Sequence, residues 1–283
     1  MTIGFIGQGF IGKHMADDFV ERGYEVVRYA LEEPYVQNKE AIAHCDIVFI
    51  AVPTPTTAVG FDASTLEVVL PLVGVGKIAV IKSTVLPGTT RRLAAQFADR
   101  IILHSPEFLR EKTAAADTRA PERTLVGVPV VTDAYKAAAT QVVSVLPTAP
   151  FERIMMSEEA ELVKYGGNCF LAMKVIYMNL LYDLALNVGA SYNVVAEAMA
   201  ADGRIGNSHM NVVDESGHAG AVAGRGAGGH CFPKDLAALR AFYVDECPDD
   251  VAGALFLRSL EEKNLTLLRG TGKDLDLLQG IYG

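Results

Sequence analysis

The chain contains no tryptophan, and only four cysteines are spread over its 283 residues. Cys45, Cys169, Cys231 and Cys247 form no CxxC pair and no metal-ligand spacing, so neither a disulfide framework nor a metal site is indicated. Basic residues are in deficit: 25 Lys and Arg against 34 Asp and Glu give a net charge of −9. Neutralising phosphates takes clustered Lys and Arg, which excludes a dedicated nucleic-acid binder. No unbroken apolar run nears the roughly 20 residues of a membrane span. The cleanest, Ile47–Val52, has strand length. The N-terminus, Met-Thr-Ile-Gly-Phe-Ile-Gly, lacks a basic region and does not read as a signal peptide. Gly and Pro occur at ordinary levels, excluding collagen-like and disordered chains. A soluble, cytoplasmic protein of enzyme size, with no membrane or nucleic-acid partner, is expected.

The first half alternates apolar runs with amphipathic stretches. Strands are predicted at Thr2–Ile6, Glu25–Tyr29, Ile47–Val52, Lys77–Ser83, Arg100–His104 and Thr124–Val128. Most lack period-2 alternation, as strands covered on both faces do. Helices are predicted between them at Phe10–Arg22, Ser64–Leu72, Thr89–Ala98 and Asp133–Leu146. This alternation implies an α/β fold with a doubly wound, Rossmann-like parallel sheet. That dinucleotide-binding domain is expected over 1–156, and a long connecting helix with a helical substrate and dimerisation domain over 157–283. Ser157, followed by Glu158, Glu159 and Glu161, reads as a capped helix start. No proline interrupts the next 30 or so residues, which would span about 45 Å as helix. A helix so long and so apolar needs cover beyond its own domain, and a homodimer across it is expected. Ser191 is read as the cap of a second helix, and 202–229 as a long loop.

Gly7-Gln8-Gly9-Phe10-Ile11-Gly12 follows the first strand and opens the first helix. In that setting the first glycine permits a tight turn, the second lets a pyrophosphate reach the backbone, and the third lets helix pack on strand. An acidic residue for the ribose is expected after the second strand. Ala30 stands there, with Arg28 before it and Glu32 and Glu33 after, so NAD and NADP both stay open. The other signal is Gly228-Gly229-His230-Cys231-Phe232-Pro233-Lys234-Asp235. Proline suits a helix's first turn, which puts Cys231 at a helix start, where a thiolate is favoured. Cys231 is therefore read as a nucleophile, the alternative being a structural cysteine at a helix cap. The other three cysteines read as structural.

Taken in order, several stretches resemble the UDP-glucose/GDP-mannose dehydrogenase family: Gly7–Gly12, Val52–Thr56, Lys82–Thr89, Ser105–Glu111, Glu161–Lys174, Asp202–Gly206 and Gly228–Asp235. The resemblance implies an NAD-dependent enzyme that oxidises the primary alcohol of a nucleotide sugar to a carboxylate through a thiohemiacetal and thioester on Cys231. It assigns Lys164 and Asn168 to the substrate oxygen, Asp235 to supporting water and lysine, and Glu107 with Thr84 to the hydrolytic water. For the cofactor it implies Gly7, Gly9, Phe10, Ile11, Gly12, Val52, Pro53, Thr54, Ser83, Thr84, Glu111 and Lys234. Substrate contacts are implied for Glu107, Phe108, Leu109, Arg110, Lys164, Asn168, Arg204, Gly229 and Cys231, with Arg204 reaching over from a partner subunit as one option.

Two departures stand out. The family's C-terminal nucleotide-binding domain has no counterpart after the cysteine motif, so the chain reads as a short form. Residues 207–227 replace the family's substrate-touching segment with a Gly- and His-rich one containing His209 and His218. Alternatives are a single oxidation or redox-neutral elimination on a smaller sugar or nucleoside, and a non-catalytic nucleotide-binding protein.

Overall fold

Apolar runs without alternation need cover on both faces, and the sheet of this protein has it. The computed structural model describes residues 1–110 and 113–283. In chain order the elements are β1 (Thr2–Ile6), α1 (Phe10–Glu21), β2 (Glu25–Tyr29), β3 (Ile47–Ile50), the hairpin arms β4 (Thr56–Thr57) and β5 (Gly60–Phe61), α2 (Ser64–Val69), β6 (Ile78–Ile81), α3 (Thr89–Gln96) and β7 (Ile101–His104). Next come α4 (Ala114–Arg119), β8 (Arg123–Val128), α5 (Asp133–Val145), β9 (Phe151–Met156) and α6 (Ser157–Asn187). The remainder is α7 (Tyr192–Ala200), β10 (Val213–Asp214), β11 (Gly224–Arg225), α8 (Phe232–Glu246), α9 (Val251–Thr271) and α10 (Leu275–Tyr282). Contacts divide the chain into Met1–Pro55 with Phe61–Lys164, and Thr56–Gly60 with Tyr165–Gly283.

In the first unit the sheet runs β2-β1-β3-β6-β7-β8-β9. Successive side chains go to opposite faces. Ile3, Phe5, Ile47, Phe49 and Val80 pack with Phe19 of α1 and Val142 of α5. Val48, Ile50 and Ile81 pack on the other face with Leu66 of α2 and Leu93 of α3. The chain leaves β1 for β2 on one side and reaches β3 on the other. The switch point, where ligands bind in open α/β sheets, therefore lies at the carboxyl ends of β1 and β3.

The expected Rossmann-like sheet is present, with two differences. β7 and β8 pair antiparallel and β8 and β9 parallel, so the last two strands run against the first five. β9 was not predicted, because Glu152 and Arg153 give this exposed edge segment no apolar signature. α4, equally unpredicted, is six residues long.

The long helix is there, at 31 residues. Its expected cap is not: the Ser157 hydroxyl donates to Glu158 Oε2 (2.9 Å), and Glu159 accepts the Met156 N–H (2.8 Å). The N3 carboxylate, rather than the serine, satisfies the helix start. Ser191 likewise stands at the α7 cap without a side-chain bond. Among the described residues α6 is the one helix long and apolar enough, by length and composition alone, to cross a membrane, with a mean hydropathy of 1.5 over its most apolar window. The polar residues of α6 break its sequence into short apolar runs, yet the window average stays high. Core helices of soluble proteins meet the same criterion. Here Asn179 is fully buried and accepts Arg225 Nε (2.8 Å) within its own unit.

Glu161, fully buried in the second turn of α6, accepts the backbone N–H groups of Gly88 (2.7 Å) and Thr90 (2.9 Å), closing the open N-terminus of α3. Burial nonetheless pushes its carboxyl up to about 7 against the opposing pull of those donors. A carboxyl raised above its unfolded value stabilises most below that value, and the contribution is lost as pH rises through the folded one. For Glu161 the window is 4.5 to about 7. His104 acts oppositely, since its stabilisation is lost as pH falls below 6.5, so the net slope alone does not isolate Glu161. Thermal melts should show Glu161→Gln gaining on the wild type between pH 5 and 8, by on the order of 3 kcal/mol at most. A constant difference across that range would refute this.

In the second unit, Cys169, Ala172 and Ile176 of α6 pack on Leu236 of α8, and Met178 and Ala185 pack with Tyr192, Met210 and Val212. The Tyr192 hydroxyl donates to the Met210 carbonyl (2.6 Å), holding the long 202–229 segment, whose one regular piece is the β10–β11 hairpin.

Candidate active site

The turn after β1 has the demands of a nucleotide cradle. Gly7 is at φ +90, and a Cβ on it would lie 2.3 Å from the Ala51 carbonyl oxygen. A Cβ on Gly12 would lie 1.9 Å from the Gly7 oxygen. Gly9 differs, because a Cβ there meets nothing within 4 Å. It would project into the space in front of α1, whose first turn carries no acidic side chain. The N–H groups of Phe10, Ile11 and Gly12 have no acceptor inside the helix, and the positive dipole end is uncompensated. Backbone donors, open space at Gly9 and absence of competing carboxylates fit a dinucleotide pyrophosphate. At the end of β2 the Arg28 guanidinium is held by Asp17 of α1 (2.6 Å), while Glu32 is exposed.

The carboxyl ends of β3 and β6 are tied together. Ser83 Oγ accepts the Val52 N–H (3.0 Å) and donates to the Val52 carbonyl (2.7 Å), and the Thr54 hydroxyl donates to the Thr84 carbonyl (2.7 Å). Val52, Thr54, Ser83 and Thr84 therefore form one ledge; Pro53 is exposed between them. Just beyond β7, Glu107 pairs with Lys82 (3.3 Å) and accepts the Phe108 N–H (2.8 Å). Lys82 is buried and also reaches Ser105 Oγ (3.2 Å). The Phe108 ring lies under the Arg123 guanidinium (3.9 Å) and the Lys164 ammonium (5.5 Å). His104 is wholly buried there, and neither ring nitrogen has a hydrogen-bond partner among the described residues. Burial, aided by the charges of Lys82 and Lys164, pushes its pKa down to about 3, so it stays a neutral ring. Lys82 escaped functional notice in the sequence, although it sits in a matching stretch; its signal was a lysine directly after an all-apolar strand.

Cys231 is the N-cap of α8, exposed, with proline in the helix's first turn. Asp235, one turn on, is buried and accepts Asn168 Nδ2 of α6 (2.6 Å) and the Lys234 ammonium (2.5 Å). Asn168, Lys234 and Asp235 are thus one hydrogen-bonded set beside the turn that carries the thiol. Cys45 and Cys169 are buried, and burial pushes their thiols up to about 11 and about 12, which leaves them protonated. Gly229, at φ +76, takes the left-handed region two residues before Cys231.

Two of the residues implied as substrate contacts carry ion pairs of their own. Arg110 grips Asp117 (2.5 Å) and Arg204 grips Asp202 (2.6 Å), both at the surface. Lys174, without an assigned role, donates to the carbonyls of Ile205 (2.9 Å) and Gly206 (3.3 Å) and so holds the turn carrying Arg204. Leu109 is half-buried beside Arg110, and Glu111 lies outside the described residues.

A glycine turn at the switch point of such a sheet defines a Rossmann-type dinucleotide-binding protein. Family comparison narrows this: the UDP-glucose/GDP-mannose dehydrogenase NAD binding domain matches residues 30–143 and the family's central domain matches 158–249. The chain belongs to the UDP-glucose/GDP-mannose dehydrogenase family. It is 35% identical over 215 residues to a UDP-glucose 6-dehydrogenase of Rhizobium meliloti (strain 1021), covering 71% of this chain and 46% of that protein. With UDP-glucose 6-dehydrogenase AglM of Haloferax volcanii the identity is 29%, covering 85% of this chain and 65% of that protein. The chain thus spans about half to two thirds of these relatives. The UDP-glucose dehydrogenase structure from the archaeon Pyrobaculum islandicum superposes with a TM-score of 0.77 at 29% identity, covering 92% of this chain and 68% of that one.

Proposed function

We propose that the protein is an NAD-dependent oxidoreductase that converts the primary alcohol of a nucleotide sugar to the carboxylate in two oxidations. The observation that carries this reading is the exposed Cys231 at the start of α8 beside the bonded Asn168–Lys234–Asp235 set. Bound NAD accepts a hydride in each oxidation; the protein supplies the rest. Lys164 and Asn168, one helical turn apart, stabilise charge on the substrate oxygen. An aldehyde has no carbinol hydrogen to lose, so Cys231 adds to its carbonyl carbon and the oxygen takes a proton, giving a thiohemiacetal that has one. Loss of that hydride leaves a thioester. Water, positioned by Glu107 and Thr84, adds to it and expels the Cys231 thiolate. The sum consumes the alcohol, two NAD and one water, and yields the carboxylate, two NADH and three protons. Asp235 holds Asn168 and Lys234 in register throughout. Gly7, Gly9, Gly12 and the Val52–Thr54 and Ser83–Thr84 ledge would hold the cofactor, with Phe108, Arg204 and Gly229 toward the sugar.

The test is stoichiometric. UDP-glucose, other nucleotide sugars, nucleosides and sugar phosphates are incubated with NAD and with NADP, and reduced cofactor is counted per molecule of substrate consumed. Two equivalents with NAD are expected. One equivalent or none with every substrate that is consumed, or consumption of none of them, overturns the reading.

A homodimer through α6 and a cytoplasmic location belong to the same proposal. Val163, Phe170, Tyr177 and Leu184 are exposed and recur every seven residues, forming an apolar stripe along α6. Exposed thiols at Cys231 and Cys247 suit a reducing compartment. Light scattering should give twice the chain mass of 30.3 kDa, and a monomer mass would refute the dimer.

A further inference from the structure

Asp274 is built into the turn that presents Cys231. Its carboxylate is buried and accepts from three places: the Gly229 N–H (2.7 Å), Ser216 Oγ (2.5 Å) and His218 Nε2 (2.9 Å). A Cβ on Gly228 would fall 2.1 Å from Asp274 Oδ2, so carboxylate and turn meet where only glycine fits. Asp274 itself is left-handed, at φ 52 and ψ 35, a backbone state that non-glycine residues adopt at a cost. His218 faces the Ala219 carbonyl with its other nitrogen (3.0 Å) and lies edge-on to the His230 ring at 5.0 Å, immediately before the cysteine. The far side of the thiol is held as well. The Tyr282 hydroxyl, at the other end of α10, lies 3.4 Å from the Pro233 carbonyl. α10 thus brackets Cys231 two residues before it and two after.

We propose that Asp274 is a positioning residue for Cys231: it clamps the Gly228–Gly229 turn to the Ser216–His218 segment and thereby fixes the thiol at the N-terminus of α8. Its consequence for turnover rests on the reading of Cys231 as nucleophile. Ser216 and His218 lie in the 207–227 segment that departs from the family pattern, so this segment does in part the work of a brace. A thiol held at a helix N-terminus is favoured as thiolate, and a released turn forfeits that alignment.

The measurement is the alkylation rate of Cys231 by iodoacetamide at pH 7, read by peptide mass spectrometry against exposed Cys247 in the same molecule. Asp274→Ala should lower the Cys231:Cys247 rate ratio about five-fold. Asp274→Asn, which keeps an acceptor for the Gly229 N–H, should restore most of it. A ratio unchanged in folded Asp274→Ala, or an Asn variant no better than Ala, overturns the proposal. Should Asp274→Ala fail to melt cooperatively, Ser216→Ala and His218→Ala decide: each should lower the ratio about two-fold, and two unchanged ratios overturn it. No substrate is needed, so the two readings fail separately. Acid production by Cys231→Ser would remove the nucleophile without moving this ratio, and an unmoved ratio would remove the clamp without touching the nucleophile.

Discussion

Cys231→Ser is expected to stop the reaction at the aldehyde. In the proposed mechanism the alcohol-to-aldehyde step uses Lys164, Asn168 and the cofactor, all of which the substitution leaves in place. The second oxidation needs a carbon that bears both a hydride and an oxygen after addition, and serine is too poor a nucleophile to make that adduct at neutral pH. Acid formation should fall by at least ~10³-fold, and reduced cofactor should drop from two equivalents to one, with the aldehyde captured by a carbonyl trap. Dinucleotide affinity should stay within about two-fold, because residues 7–12 belong to the other compact unit. Undiminished acid yield from the serine variant would end the covalent route.

The glycine turn yields a paired prediction in which neighbouring glycines fail for different reasons. Gly12→Ala forces a methyl carbon to within 1.9 Å of the Gly7 carbonyl oxygen, so β1 and α1 must separate. A loss of about 3 kcal/mol or more is expected, seen as a lowered melting temperature without ligand. A Cβ on Gly9 meets no atom within 4 Å beyond its chain neighbours, and Gly9 has ordinary extended backbone at φ −71. Gly9→Val should cost about 1 kcal/mol, that of a poor helix cap. The branched side chain instead fills the approach to the α1 N–H groups, and NAD affinity should fall by at least ~100-fold by calorimetry. A stable Gly12→Ala, or a Gly9→Val that binds NAD normally, would disprove the placement of the cradle.

Much of this architecture is legible in the letters. All-apolar stretches such as Ile47–Ile50 and Ile78–Ile81 declare strands covered on both faces, and the glycine spacing after Ile6 declares the turn. What stays hidden has two causes: a motif does not say which of several local partners a side chain takes, and it says nothing about partners distant in sequence. Arg110 and Arg204 match substrate-binding motifs, and nothing in those motifs shows that Asp117 and Asp202 pair with them. Ser157 has the chemistry of a cap, but Glu159 is better placed to take the Met156 N–H. Lys82 and Glu107 are 25 positions apart and become a pair only when β6 and β7 lie side by side. Asp274 is silent in the sequence for the same reason, since its three donors come from residues 45 to 58 positions earlier.

Among the described residues β9 ends the sheet, and its outer margin along Phe151–Met156 is unpaired. A free strand margin is a template on which another chain can add, and fibril growth begins that way. The sequence that hid this strand from prediction also guards it: proline precedes it, and Glu152 and Arg153 interrupt it with opposite charges. The same residues that make β9 a poor strand by composition make it a poor seed for runaway polymerisation.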